Sequence, residues 1–392
     1  MGTPSRLHSN GGHINRLPGY IPQGVNPWNF CDSLRVVGEW NLVYNLPGSN
    51  ECPLLGANPE AKRMKAIVYQ HFGSPDVLEC QDIEKPIPAD DEVLIKVHAA
   101  SVNPLDWKLM KGGPFIVRLL LGLGKPKMKR PGVDVAGEVE AVGKNVARFK
   151  PGDQVFGTCA GAFAEYAASK SASGLKSALV IKPDNLTYEQ AASAPVAALT
   201  ALQGLRDKAR VQPGHKVLVN GAAGGVGTFA VQIAKSFGAN VTGVCSTRNV
   251  DMVRSIGADQ VIDYSQQDFT KGGQRYDIVL DCVGNHSFSE WRRVLNPQGI
   301  LVGVGAPADV PLSRLMAGLI GALVRSVFVS QRIAIFIARV NQQDLTTVSE
   351  LMAAGKVTPV IDKRYRLSEA REAFRYMETG HARGKVIIAP EY

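Results

Sequence analysis

The 392-residue chain lacks the usual ways of holding zinc with cysteine. Its six cysteines, Cys31, Cys52, Cys80, Cys159, Cys245 and Cys282, form no C-x-x-C pair, and no two histidines stand at metal-ligand spacing. Cysteines so widely spread in a chain this long argue against a disulfide framework and fit reduced thiols in a cytosol-like compartment. Most read as small buried apolar residues. No stretch reaches the ~18 apolar residues needed to cross a bilayer, and no secretory signal is visible. The first 31 residues contain no Asp or Glu but do contain Arg6 and Arg16, a feature of organellar transit peptides. The same segment is rich in Gly, Pro and Asn and has no amphipathic period. Long runs of one charge are absent too. The net charge of +9 is therefore read as a solvated basic surface, with an anionic cofactor or membrane left open. No basic cluster is interleaved with aromatics, so no nucleic-acid partner is expected.

Apolar residues make up 45% of the chain and charged residues 20%, as in soluble globular proteins. The length accommodates two domains, each with its own core. Residues 1–63 read as turn and coil and are expected to be a disordered extension, with Met64 a candidate initiator. From 64 to 187 the signals are strands and turns, as in Glu92–Val97, Glu138–Gly143 and Gln154–Phe156. From 188 to 325 strand and helix alternate, which predicts an α/β, doubly wound parallel sheet. Its strands are Lys216–Asn220, Asn240–Val244, Val261–Asp263, Ile278–Asp281 and Ile300–Gly303, with helices from Gly227 to Phe237 and from Val250 to Ile256. Residues 326–392 complete the chain with a helix over 343–354, a strand over 357–361, a helix over 368–379 and a strand over 385–388. Residues 312–340 are apolar with a helical period, interrupted by arginines. They fit a core element, a substrate-entry wall, a dimer surface or a membrane-surface helix.

The strongest motif is Asn220-Gly221-Ala222-Ala223-Gly224-Gly225-Val226-Gly227, placed between a strand and a helix. In this reading Ala223 and Gly224 allow a sharp turn, and Gly225 lets the backbone approach a pyrophosphate favoured by the helix N-terminus. Val226 opens the helix, and Gly227 lets it pack closely on the strand. The end of the next strand, Val244-Cys245-Ser246-Thr247-Arg248, carries no acid to bind ribose hydroxyls. Ser246 and Arg248 would instead donate to a 2′-phosphate, so NADPH is the expected cofactor.

Taken together, these features resemble the medium-chain dehydrogenase/reductase family over residues 64–390. Within it the chain is similar to the zinc-independent quinone oxidoreductase branch. Ser101-Val102-Asn103-Pro104-Leu105-Asp106-Trp107-Lys108 and Gly380-His381-Ala382-Arg383-Gly384-Lys385 resemble the chloroplast envelope quinone oxidoreductase homologues and their bacterial relatives. The resemblance implies a GroES-like strand-rich catalytic domain over 64–187, a Rossmann cofactor domain over 188–325, and a return to the catalytic domain over 326–392. Zinc-dependent members carry Cys where Asn103 stands and Gly-His-Glu where Gly132-Val133-Asp134 stands, so no zinc is expected. The resemblance also implies that Thr200 faces the nicotinamide and that Tyr264 lies beside the adenosine phosphate or ribose. Cys282-Val283-Gly284 and Gly303-Val304-Gly305 would flank the nicotinamide.

The activity implied is hydride transfer from NADPH to a conjugated carbonyl (an enone or alkenal) or to a quinone, by a homodimer. Charge developing on the carbonyl oxygen needs a donor, which could be the Asn103 amide, a backbone N–H or a ribose hydroxyl. Asp106 and Lys108 are nearby polar candidates. Related enoyl thioester reductases have a tyrosine shortly after the Asn-Pro motif, and this chain has none there. One-electron quinone reduction, a non-catalytic NADPH sensor and a nucleic-acid binder are the alternatives. The expected location is cytoplasmic, with an organelle or a membrane periphery left open.

Overall fold

The computed structural model describes residues 62–112, 126, 129–170, 177–304 and 330–391. The expected extension lies outside them apart from Lys62 and Arg63. Gly305 and most of the apolar 312–340 segment also lie outside the described residues.

In the strand-rich part, β1 (Arg63–Val68) and β2 (Glu79–Glu84) form an antiparallel pair. A larger sheet contains β3 (Glu92–Val102), β4 (Asp134–Val142), β5 (Gln154–Thr158), β6 (Tyr166–Lys170) and β7 (Leu179–Ile181). It is completed by β14 (Ile361–Arg366) and β15 (Lys385–Ala389), in the order β14-β15-β3-β4-β5-β7, with β6 also paired to β3. Registers fix the later geometry. On β3, Ser101 pairs with Asp134 of β4 and with Ile387 of β15, so three strand ends converge just before Asn103. That residue starts the helix α1 (Pro104–Lys111), where proline sits in the first turn and has no N–H to leave unpaired.

The second sheet contains β8 (Lys216–Asn220), β9 (Asn240–Cys245), β10 (Gln260–Asp263), β11 (Tyr276–Asp281), β12 (Leu295–Gly303) and β13 (Arg332–Ile335). Its order is β10-β9-β8-β11-β12-β13, and every pairing is parallel. Successive side chains enter opposite cores. Val217 and Val219 join one buried cluster and Leu218 another, as do Ile278 and Leu280 against Val279. Burial on both faces explains why these strands read as unbroken apolar runs. The first of those clusters also includes Ala99, Phe156 and Ile387 of the strand-rich sheet, so one apolar core runs from one sheet to the other. Helices α2 (Tyr188–Ser193) and α3 (Pro195–Gln203) bridge the sheets, α2 packing on β3, β4 and β15 and α3 on α4 (Gly225–Ser236).

Two elements differ from the sequence expectation. Residues 332–335 are an edge strand of the parallel sheet, so that sheet continues past residue 325. A short apolar run suits either periodicity, and pairing with β12 decides it. Residues 357–360 form no strand. The backbone N–H of Thr358 donates to Gln232 Oε1 at 2.7 Å, and its carbonyl accepts from Gln232 Nε2 at 2.9 Å. With both groups taken, the strand begins only at Ile361.

Candidate functional site

The glycine-rich loop leaves β8 and enters α4. Its sharp turn is at Gly221, with φ +78°, rather than at Ala223 and Gly224 as the sequence suggested. A Cβ on Gly221 would stand 2.7 Å from Val283 Cγ2, and one on Gly227 would stand 2.0 Å from the carbonyl oxygen of Gly221. Gly227 therefore permits the close approach of helix to strand, as expected. Gly225 faces the return segment. A Cβ there would lie 3.3 Å from Lys385 Cδ and 3.4 Å from the Gly384 oxygen. Gly224, the residue before the helix, has an ordinary φ of −83°. A Cβ on it would meet nothing nearer than the Gly221 oxygen at 3.4 Å. The fold itself does not require glycine at 224, so the free space there suits close approach of a phosphate to the α4 N-terminus. Val226 is half-buried against the main core cluster.

Beyond β9, Ser246 Oγ accepts from Asn249 Nδ2 at 3.1 Å. Arg248 is exposed, and its Nη2 donates to the His381 carbonyl at 2.9 Å. Tyr264 is 59% exposed and its backbone N–H donates to the Cys245 carbonyl at 3.0 Å. Thus the backbone of Tyr264 adjoins the end of β9, the strand that leads into Ser246 and Arg248. The sequence reading missed one acid here. Asp263 pairs with Cys245 in the sheet, and hydrogen bonds from Thr247 hold its carboxyl below the usual carboxylate range. Asp263 stands 18 residues after Cys245 in the chain, and only the pairing of β10 with β9 brings it to this strand end.

The loop after β11 is held by a network that the sequence did not reveal. Asp281 Oδ1 accepts from Asn220 Nδ2 at 2.9 Å, Val283 N–H at 3.0 Å and Gly284 N–H at 2.9 Å. Asn220 Nδ2 also donates to Asn285 Oδ1 at 2.9 Å. The expected nicotinamide-side loop is thereby tied to the first residue of the glycine motif. Burial, with the Asp281 charge, pushes the Cys282 thiol far above its usual range, so it carries no thiolate.

A buried polar cluster closes the other side. Asn103 Nδ2 donates to Asp134 Oδ2 at 2.9 Å and to the Ser101 carbonyl at a long 3.4 Å. Its Oδ1 accepts from Lys385 Nζ at 2.7 Å. Lysine can only donate and an ionised carboxylate only accepts, so the amide can face just one way. Asp134 also accepts from Ser101 Oγ at 2.8 Å and from the Val196 N–H at 3.0 Å, and lies 3.4 Å from Lys385 Nζ. Asn103, Asp134 and Lys385 are at most 3% exposed. Desolvation pulls the Lys385 ammonium below the usual lysine range, against the opposing pull of Asp134 and Asp106. Asp106 is buried and accepts from the Asn103 backbone N–H at 2.8 Å. Desolvation pushes its carboxyl up to about 7. Thr200 is half-buried on α3, and its hydroxyl donates to the Val196 carbonyl at 2.7 Å. Lys108 lies on the same helix as Asp106, and burial lowers its ammonium below the usual range.

The two halves of the site meet here. Gly384 N–H donates to the Ala223 carbonyl at 2.8 Å. Dehydrogenases of this architecture include zinc enzymes, so the fit of a metal bears on the site. Asn103 and Val133 offer no thiolate or imidazole, and Asp134 is already saturated by four donors, one of them a lysine ammonium. A divalent cation beside that ammonium would meet like charge, and the cluster does not fit zinc. Among the described residues, no three His, Cys, Asp or Glu side chains gather so as to hold a metal ion. Among the same residues no helix is long and apolar enough to cross a membrane.

Family models match both parts of the chain. Residues 89–180 match the alcohol dehydrogenase GroES-like domain and residues 256–388 match the zinc-binding dehydrogenase. A chloroplastic quinone-oxidoreductase from Triphysaria versicolor is 33% identical over 84% of this chain and 99% of its own length. A chloroplastic NADPH-dependent alkenal/one oxidoreductase from Arabidopsis thaliana is 33% identical over 93% of this chain and 90% of its own. The solved quinone oxidoreductase from Coxiella burnetii superposes with a TM-score of 0.72 at 32% identity, covering 84% of this chain and 99% of that one. The chain therefore belongs to the medium-chain dehydrogenase/reductase family, as an NAD(P)H-dependent oxidoreductase built from a GroES-like domain and a Rossmann domain.

Proposed function

We propose that the protein is an NADPH-dependent, zinc-independent reductase of conjugated carbonyls (enones or alkenals) or of quinones. The observation that carries this reading is the Asn103–Asp134–Lys385 cluster. Where a metal-dependent alcohol dehydrogenase needs an electrophilic ion, this chain holds a buried, self-neutralised polar network. The reduced nicotinamide cofactor supplies the hydride. Gly224 and the α4 N-terminus would hold its pyrophosphate, Ser246 and Arg248 its 2′-phosphate, and Tyr264 its adenosine end. Thr200, whose hydroxyl proton is committed to Val196, would offer its lone pairs to the carboxamide, with Cys282 and Val283 flanking the ring.

A saturated aldehyde needs strong polarisation of its oxygen as hydride arrives. A conjugated carbonyl needs less, because the electron pair is delocalised to oxygen through the double bond. The Asn103 N–H that is only weakly engaged by Ser101 at 3.4 Å would donate to that oxygen, and one such donor is typically worth ~2.7–4 kcal/mol. Asp106 serves the loop, because its carboxylate binds the Asn103 backbone N–H. Substrates would be small molecules, and the chain would act as a homodimer. Relatives named chloroplastic or mitochondrial favour an organelle over the cytoplasm.

The test is NADPH consumption by chelator-dialysed protein over alkenals, enones, quinones and saturated aldehydes. Turnover of the conjugated acceptors and little of the saturated ones is expected. Activity restricted to saturated aldehydes, or restored only by added zinc, would overturn the reading.

A further inference from the structure

Lys385 is a buried cation with its ammonium aimed at a side-chain amide, and nothing in the proposed reaction yet uses it. Burying a lysine–aspartate pair is a weak way to stabilise a fold, because desolvation offsets the attraction and an apolar pair of similar volume does as well or better. Here both members converge on one side chain. Lys385 donates to Asn103 Oδ1 at 2.7 Å, and Asp134 accepts from Asn103 Nδ2 at 2.9 Å. The β15–β3–β4 register builds this convergence into the sheet. The lysine stem also lies against Gly225 of the glycine-rich loop, and the preceding residue is hydrogen-bonded to Ala223.

We propose that Lys385 is a positioning residue, which locks the Asn103 amide in one orientation and polarises it so that the N–H held only weakly by the Ser101 carbonyl becomes a stronger donor to the substrate oxygen. Hydrogen bonds in a chain strengthen one another in a low-dielectric interior. An ammonium on the amide oxygen withdraws electron density from the amide nitrogen. The same side chain rests on the glycine-rich loop, so the reacting carbonyl is registered to the loop expected to hold the cofactor. This inference rests on the role proposed for Asn103.

The experiment is a double-mutant cycle on the full chain with Lys385→Met and Asn103→Ala, using NADPH and an enone. Lys385→Met is expected to lower kcat by about 10–100-fold, the range for groups that orient a functional residue from behind. KM and the NADPH dissociation constant should change less than about threefold, within ordinary variation of binding. Adding Lys385→Met to Asn103→Ala should cost no further activity, because Lys385 acts through Asn103. Additive losses, or a loss confined to melting temperature, would overturn the proposal. If Lys385→Met does not fold, Lys385→Met/Asp134→Asn leaves no uncompensated buried charge and carries the same cycle. A second readout needs no substrate. The side-chain amide resonances of Asn103, assigned by their loss in Asn103→Ala, should shift in the lysine variant, and unchanged resonances would also overturn the proposal. Absence of wild-type turnover on every enone would count against the proposed reaction, while the resonance measurement would still decide the role of Lys385.

Discussion

The guanidinium of Arg248 donates to the carbonyl oxygen of His381 at 2.9 Å, 133 residues later in the chain. The bond joins the end of the second Rossmann strand to the segment that enters β15. It fixes an otherwise exposed arginine at the rim where a cofactor's ribose phosphate would lie. Arginine suits a phosphate because its planar fork can bind two oxygens. Arg248→Ala should reduce NADPH affinity by ~10–100-fold, the cost of one lost charge-assisted contact, and leave NADH affinity nearly unchanged. Fluorescence titration with both cofactors checks this. Equal affinity of the wild-type protein for the two would contradict it.

The glycine-rich loop makes a paired prediction. Gly227→Ala forces a Cβ to 2.0 Å from the Gly221 oxygen, so the backbone must move. Overpacking of this kind costs ~1–3 kcal/mol of stability, and the melting temperature should fall. Gly224→Ala meets nothing nearer than 3.4 Å and should melt close to the wild type. Its NADPH affinity should nevertheless drop by about tenfold or more, each tenfold being ~1.4 kcal/mol of lost contact. A Gly224→Ala protein that binds NADPH normally would show that the space at 224 is not reserved for the cofactor.

Asp106 gives a pH signature. Its carboxyl titrates at about 7 in the fold against an ordinary value of 3.8. The folded state holds this proton more tightly than the unfolded state. The associated stability is therefore fully present below about pH 4 and is lost as pH rises through about 7. Asp106→Asn keeps an oxygen to accept from the Asn103 N–H and removes the titration. The difference in stability between Asp106→Asn and wild type should grow in favour of the variant from about pH 4 to about pH 7 and level off above that. Urea denaturation at several pH values measures it. A difference that does not vary with pH would show that Asp106 is not a perturbed acid.

Strong local signals were the part of the fold legible in the sequence. Val217–Val219 and Ile278–Leu280 announce buried parallel strands because both faces are covered. The glycine spacing before α4 marks a strand-to-helix turn, although the residue that makes the turn is Gly221. Long-range register was not legible. Nothing local in Gly384-Lys385-Val386 says that the lysine is buried, and nothing in Gly132-Val133-Asp134 says that its acid is the partner, 251 residues away. Both segments carry the family resemblance in the sequence alone. Only the antiparallel pairing of β15 and β4 on either side of β3 turns them into one cluster. The strand at 332–335 was missed for the same reason, since its identity depends on β12.

In the proposed reaction, hydride reaches the β-carbon of a conjugated carbonyl, with a buried amide network and no metal to meet the charge on oxygen. NADPH carrying deuterium at the transferred position tests it most directly, with a short enone or alkenal as acceptor and the product analysed by NMR. Deuterium on the β-carbon of a saturated carbonyl product is the predicted result. Deuterium on the carbinol carbon of an allylic alcohol would contradict it.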